Sequence, residues 1–213
     1  MTVAPVDIWQ ALLAFSAAAA LLTITPGLDT ALVLRTAAVE GGKRAALAGV
    51  GIVTGCLAWG AAVALGLGVL LEASALAFNI LKWAGAAYLV WLGIGLILKP
   101  RERFDLSAPA GPTGDDFSWM RRGFLTNLLN PKVGVFYVSF LPQFLPADAP
   151  AAPFIFLLAT MHAVMGLLWF AALIAATRPI AGVLQRAAVV RWLDRLTGGL
   201  FLAFGVRLAL ERR

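Results

Sequence analysis

The sequence is poor in the side chains that carry most enzyme chemistry. In 213 residues it has one cysteine, Cys56, one histidine, His162, and two tyrosines. A single cysteine excludes an internal disulfide framework, a redox pair and a thiolate metal centre. One histidine without cysteine or acidic neighbours makes no metal site, so neither a metal nor a cofactor is expected. Charge is scarce as well. Only 13% of residues are Asp, Glu, Lys or Arg, about half of what a soluble domain carries. The first ten residues, MTVAPVDIWQ, hold no Lys or Arg. A secretory signal peptide needs a basic start, so the first apolar run is expected to stay as a span.

Apolar surface is what the chain has in abundance. Hydrophobic residues make up 61% of it and the mean hydropathy is +0.88. That composition is an integral membrane protein, with the lipid bilayer as its solvent. The net charge of +6 and pI near 10.2 do not point to nucleic acid, because the basic residues sit in short links between apolar runs. A spanning helix takes about 20 apolar residues, and six runs qualify: 8–34, 45–71, 75–98, 123–145, 152–177 and 192–210. No barrel-length alternation is present. The expected fold is therefore all-α, a polytopic bundle of six transmembrane helices.

The basic residues predict the orientation. Arg35, Lys43 and Arg44 follow the first run. Lys99, Arg101, Arg103, Arg121 and Arg122 follow the third, and Arg178, Arg186, Arg191 and Arg195 follow the fifth. Together they are 12 of the 17 Lys and Arg residues. The positive-inside rule puts these links in the cytoplasm and the N-terminus on the periplasmic side of a bacterial inner membrane. Arg207, Arg212 and Arg213 fit this orientation less well at the C-terminus. Around 180–193, loosely alternating apolar and basic residues suit a short helix on the inner face. The polar stretch 99–122 reads as a cytoplasmic linker between a first three-helix repeat, 1–98, and a second, 123–213. Two strings support kinship of the halves. Lys82, Gly85, Tyr88, Leu89, Trp91 and Gly93 find their match in Arg195, Gly198, Phe201, Leu202, Phe204 and Gly205. Three spans per half means that the second half enters from the opposite side, which makes an inverted repeat.

The first and fourth runs are each interrupted, at Thr25-Pro26-Gly27 and at Asn130-Pro131. A break in a membrane helix frees backbone polar groups that only protein or a wet cavity can satisfy, so both breaks belong inside the bundle. Each also starts a new helix, whose N-terminus favours an anion. Paired breaks in two halves point to a transport site. Asp29 suits a helix cap and equally a proton-carrying group or a binder of a substrate ammonium. Lys132, the only basic residue in the middle of a run, reads as a snorkelling side chain or as the partner of Asp29 or of a carboxylate. Asn127 and Asn130 can donate and accept to freed backbone. His162 reads as an interhelical hydrogen-bonding residue or a proton relay. Gly51 and Gly55 fit a small-residue packing pattern, and Trp59, Trp83, Trp91 and Trp169 read as interfacial or lipid-facing aromatics.

With these residues in view, the chain resembles the lysine exporter/threonine efflux family of amino-acid exporters. TPGLD (25–29) followed by GGKRAAL (41–47) is similar to the family's first signature. NPKVGVFYVSFLPQF (130–144) is similar to its second, and LKWAGAAYLVWLGIGLIL (81–98) to its third span. The resemblance implies export of L-amino acids or close derivatives, coupled to protons. It implies substrate-binding or coupling roles for Thr25, Pro26, Gly27, Asp29, Asn127, Asn130, Pro131 and Lys132, with His162 as a proton relay. Leu28 departs from the family string T-P-G-P-[DN], and the absence of G-P-Q-N leans toward the neutral amino-acid branch. Association with a second copy of the chain stays open. The rival readings are a transporter of another metabolite or ion, an assembly subunit, which needs no paired breaks, and a lipid-modifying enzyme. The last lacks a nucleophile–base pair or a metal cluster, so no enzymatic activity is expected.

Overall fold

The computed structural model describes residues 7–73, 75–100, 115–146, 148–177, 183 and 186–210. Among these the chain is helical, with no strand. Helix α1 (Ile8–Ile24) ends at the first break. There the Thr25 N–H reaches Leu21 O, and Pro26 has no N–H with which to continue the ladder. Helix α2 (Leu28–Val39) restarts with its axis turned by 50°. The chain then reverses through Gly41, whose φ of 91° is open to glycine at little cost. Helix α3 (Gly42–Ala73) and α4 (Ala75–Leu98) follow.

Helix α5 (Asp116–Leu128) starts earlier than the expected span at 123, because Asp115 caps it by accepting from the Ser118 N–H at 3.1 Å. The last third of the 99–122 linker is thus the first two turns of a helix, while residues 101–114 lie outside the described ones. The second break falls at Leu129–Asn130. Asn130 caps the short α6 (Pro131–Val135), accepting from the Lys132 N–H at 3.1 Å, with Pro131 at a first-turn position where its missing donor costs nothing. The helix then widens into a π turn over Phe136–Phe140 and tightens into a 3₁₀ turn over Leu141–Phe144. Helix α7 (Ala151–Ala175) and α8 (Ala187–Leu210) complete the order. Of the expected surface helix at 180–193, residues 187–193 are the start of α8 and most of the rest lies outside the described residues.

Helix α3 over Gly42–Gly66 and α7 are each long and apolar enough to cross a membrane, and the bent pair α1–α2 makes a third candidate. Helix α3 packs along α5 and α7, α4 along α8, and α1 against α7. Small residues set the closest approaches. A Cβ on Gly51 would lie 1.9 Å from the Met120 carbonyl oxygen, and one on Gly123 would lie 2.0 Å from that of Ala48. Helices α3 and α5 therefore touch backbone to backbone, the close contact that small residues allow in membranes. Gly93 and Gly198 do the same between α4 and α8, each 2.7 Å from the other's carbonyl when given a Cβ.

The core has two parts. In the larger, Phe15, Phe136, Phe140 and Phe144 pack with Tyr137, Leu158 and Phe201. The Phe136 and Phe140 rings stack at 4.6 Å, and Phe204 meets Phe140 edge-on at 4.2 Å. The smaller joins Leu32, Val33 and Leu34 of α2 to Ile52, Phe170 and Leu173. Outward, Leu65, Trp83, Trp91 and Leu168 are exposed, as lipid-facing residues are. At one end of the bundle, Lys43 pairs with Asp116 and Arg44 with Glu40. The basic α2–α3 link and the start of α5 thus share one face.

Candidate functional site

The two breaks meet inside the bundle. Gly27, not Asp29, occupies the cap position of α2, and it has no side chain with which to cap that helix end. Asp29 is its second residue and points across the bundle. Its Oδ2 accepts from Asn127 Nδ2 at 2.8 Å, a contact between residues 98 apart in sequence. Asn130 and Lys132 also act on this carboxylate. The other oxygen, Oδ1, is buried without a hydrogen-bond partner among the described residues. A buried carboxylate oxygen left unsatisfied is costly, and such a group is characteristic of a site that awaits a ligand or proton.

Lys132 bridges the breaks. Its Nζ donates to the Thr25 carbonyl at 3.3 Å and lies 3.7 Å from where a Cβ on Gly27 would stand. Here the lysine serves the freed backbone of α1, so the snorkelling reading gives way to an interior one. Thr25 is held twice: its Oγ1 donates to Leu21 O at 2.7 Å and pairs with Thr197 Oγ1 at 2.7 Å, from which it accepts when its own proton is on Leu21. The two new helix ends have different cap residues. Asn130 satisfies the first turn of α6 with its side chain, whereas Gly27 has no side chain to offer α2.

Around these groups lies a cavity of about 60 Å³, bordered by Thr25, Gly27, Asp29, Asn130, Lys132 and His162, with Ile52 and Phe170 as apolar walls. It has room for a few waters. His162 is buried and its Nδ1 pairs with the Tyr137 hydroxyl at 2.9 Å, which makes it an interhelical hydrogen-bonding residue as well as a cavity wall. Asn127 donates a second, longer bond to Cys56 Sγ at 3.4 Å, and its Oδ1 is buried without a partner among the described residues. Gly55 makes room for that amide: a Cβ there would lie 2.7 Å from Asn127 Oδ1.

The structure thus brings Thr25, Pro26, Gly27, Asp29, Asn127, Asn130 and Lys132 to one place, with Pro131 starting the helix beside them and His162 on the facing helix. Sequence reasoning passed over Cys56, Tyr137 and Thr197. Cys56 follows the Gly51/Gly55 pattern and Thr197 lies within the Arg195–Gly198 string, but neither side chain is itself unusual in an apolar helix, so neither was singled out. Tyr137 lies inside the NPKVGVFYVSFLPQF string and could have been singled out there. Asp194, fully buried in α8, was likewise not singled out. Among the described residues no group of three or more His, Cys, Asp or Glu stands close enough to hold a metal.

Apolar helices of spanning length, interrupted around a buried carboxylate beside a cavity, define a polytopic membrane protein of the transporter class. The chain belongs to the LysE type translocator family, whose sequence profile matches residues 20–212. It is 33% identical over 193 residues to the homoserine/homoserine lactone efflux protein of Salmonella typhimurium, covering 90% of this chain and 92% of that one. It is 31% identical over 195 residues to the leucine efflux protein of an Enterobacter species (88% and 90% covered). It is 30% identical over 197 residues to the threonine efflux protein of Escherichia coli K12 (89% and 92%). No solved structure matches the chain.

Proposed function

We propose that this protein is a secondary transporter of the bacterial inner membrane that exports small neutral L-amino acids or close derivatives in exchange for protons. The observation that carries the reading is Asp29: a carboxylate at a helix break, with one buried oxygen unpartnered among the described residues, facing a cavity that Lys132 also borders. An amino acid is a zwitterion. Its ammonium fits the open Asp29 oxygen, and its carboxylate fits the start of α2 and Lys132. Antiport follows when one group serves two cargoes in turn. From the cytoplasm, ionised Asp29 takes the ammonium. At the outer face a proton replaces it, the substrate leaves, and neutral Asp29 returns to give its proton to the cytoplasm. A cavity of about 60 Å³ has room for a few waters, and the broken helices move to admit cargo.

We read the bundle as six spans in two inverted repeats, 1–98 and 123–213, joined by the 99–122 linker on the cytoplasmic side, with the N-terminus periplasmic. The glycine contacts between α4 and α8 support a two-fold relation. If Gly93 corresponds to Gly205 and residue 85 to Gly198, the Gly93–Gly198 contact implies a second one between Gly205 and the region of residue 85. Gly205 does lie against α4 there, 3.0 Å from the Ala86 carbonyl when given a Cβ. The test is export from proteoliposomes loaded with each of the twenty amino acids, with and without an imposed proton gradient. Gradient-driven release of a neutral subset is the expected result; release of none rejects the reading.

A further inference from the structure

A second, larger and more open cavity of about 410 Å³ also borders Asn130. Its walls come from Trp59 of α3, Tyr88 of α4, Leu129 and Asn130 at the break, and Gly134 and Val138 beyond it. It reaches the size of small-molecule sites, and its walls are almost wholly apolar. Asn130 borders both cavities, so one residue is shared by a small chamber bordered by Asp29 and Lys132 and a roomier apolar one. The wall also holds a polar loose end: the Trp59 indole N–H is buried and has no hydrogen-bond partner among the described residues. The Trp59 ring in turn defines how near α6 can come, since a Cβ on Gly134 would stand 2.9 Å from it.

We infer that this second cavity is the side-chain subsite of the transport site, taking the apolar side chain of an amino acid whose charged head group lies at Asp29. The inference rests on the transport reading above. With the head group at Asp29, Asn130 is the residue that both cavities share, and a shift of the α5–α6 break joins the two. A branched aliphatic side chain finds apolar walls there. A side chain as small as that of alanine does not reach past Asn130. The subsite therefore sets size preference while the smaller chamber handles charge and proton.

Ala84 tests this. It is an exposed residue of α4 on the cavity wall, remote from the carboxylate. In proteoliposomes, wild type and Ala84→Phe are compared for export of leucine and of alanine. Ala84→Phe is expected to lower the kcat/KM for leucine about tenfold, the usual scale for losing hydrophobic side-chain contacts, and to leave alanine within twofold. Equal losses for both substrates, or no loss for either, overturn the subsite and leave the transport reading intact. A wild type that exports neither overturns both. As a second measurement, N-ethylmaleimide labelling of Ala84→Cys is followed above the wild-type background. Saturating leucine is expected to slow it and alanine not. Labelling insensitive to leucine but dependent on the acyl-chain length of the vesicle lipid means that lipid fills the groove, and refutes the inference even where Ala84→Phe fails to fold.

Discussion

Replacing Asp29 by Asn separates holding the fold together from carrying a proton. The principal native contact is the hydrogen bond from Asn127 Nδ2 to Asp29 Oδ2 at 2.8 Å, with Asn130 and Lys132 also acting on the carboxylate. An asparagine can turn its own oxygen to the same donor. What is lost is the extra strength of a charged acceptor, about 1 kcal/mol. The cap of α2 is untouched, because Gly27 holds it. The buried Oδ1 position then holds an uncharged amide nitrogen, which is less costly to keep from water than a carboxylate, so folding and insertion should stay near wild type. Transport should not. With the membrane potential clamped at zero and one proton per substrate, each pH unit is worth about 1.36 kcal/mol and sustains about a tenfold substrate gradient. Two units should let the wild type hold about a hundredfold gradient, and Asp29→Asn about none, since an amide does not titrate in this range. The assay is export from proteoliposomes at fixed inner pH and varied outer pH, with amino-acid exchange measured alongside. Exchange without net proton movement is expected to survive if the amide oxygen still receives the ammonium. A hundredfold gradient sustained by Asp29→Asn refutes the role of Asp29 as the proton carrier.

Pro26→Ala and Pro131→Ala each restore a backbone donor and remove the proline's bias of about 3 kcal/mol against a continuous helix; both variants should insert normally and export less than a tenth as fast, and wild-type rates in both would reduce the breaks to kinks. Gly51→Ala forces a methyl to within 1.9 Å of the Met120 carbonyl and should lower the unfolding temperature in detergent by the equivalent of at least about 1–3 kcal/mol, whereas Gly66→Ala, with nothing within 4 Å, should be neutral or slightly stabilising. Tyr137→Phe leaves His162 Nδ1 without its 2.9 Å partner and should cost about 1–3 kcal/mol; thermal unfolding in a double-mutant cycle with His162→Leu should show that the two losses do not add.

By itself the sequence determined the class and the punctuation. Apolar composition dictated helices in a bilayer, because only internally hydrogen-bonded segments survive there. Both breaks were legible because their cause is local: proline has no N–H, and Asn130 finds its partner two residues on, at Lys132. The end of α1 at Ile24 and the starts of α2 and α6 follow from that chemistry alone. Residue type also marked Asp29 and Lys132, since charge within an apolar run is rare enough to stand out. What no local reading supplied was the rotation of each helix about its axis. In water an apolar stripe marks the buried face. In lipid both faces are apolar; Phe154 is buried while Leu168, on the same helix, is exposed, and nothing in their chemistry separates them. The tertiary structure therefore decided that Asn127 rather than a closer residue meets Asp29, that Thr25 ties the first break to Thr197 in the last helix, and that Tyr137 takes His162. It decided the two cavities that Asn130 borders for the same reason. Each depends on helices approaching at glycines such as Gly51 and Gly93, whose partners stand on other helices far along the chain.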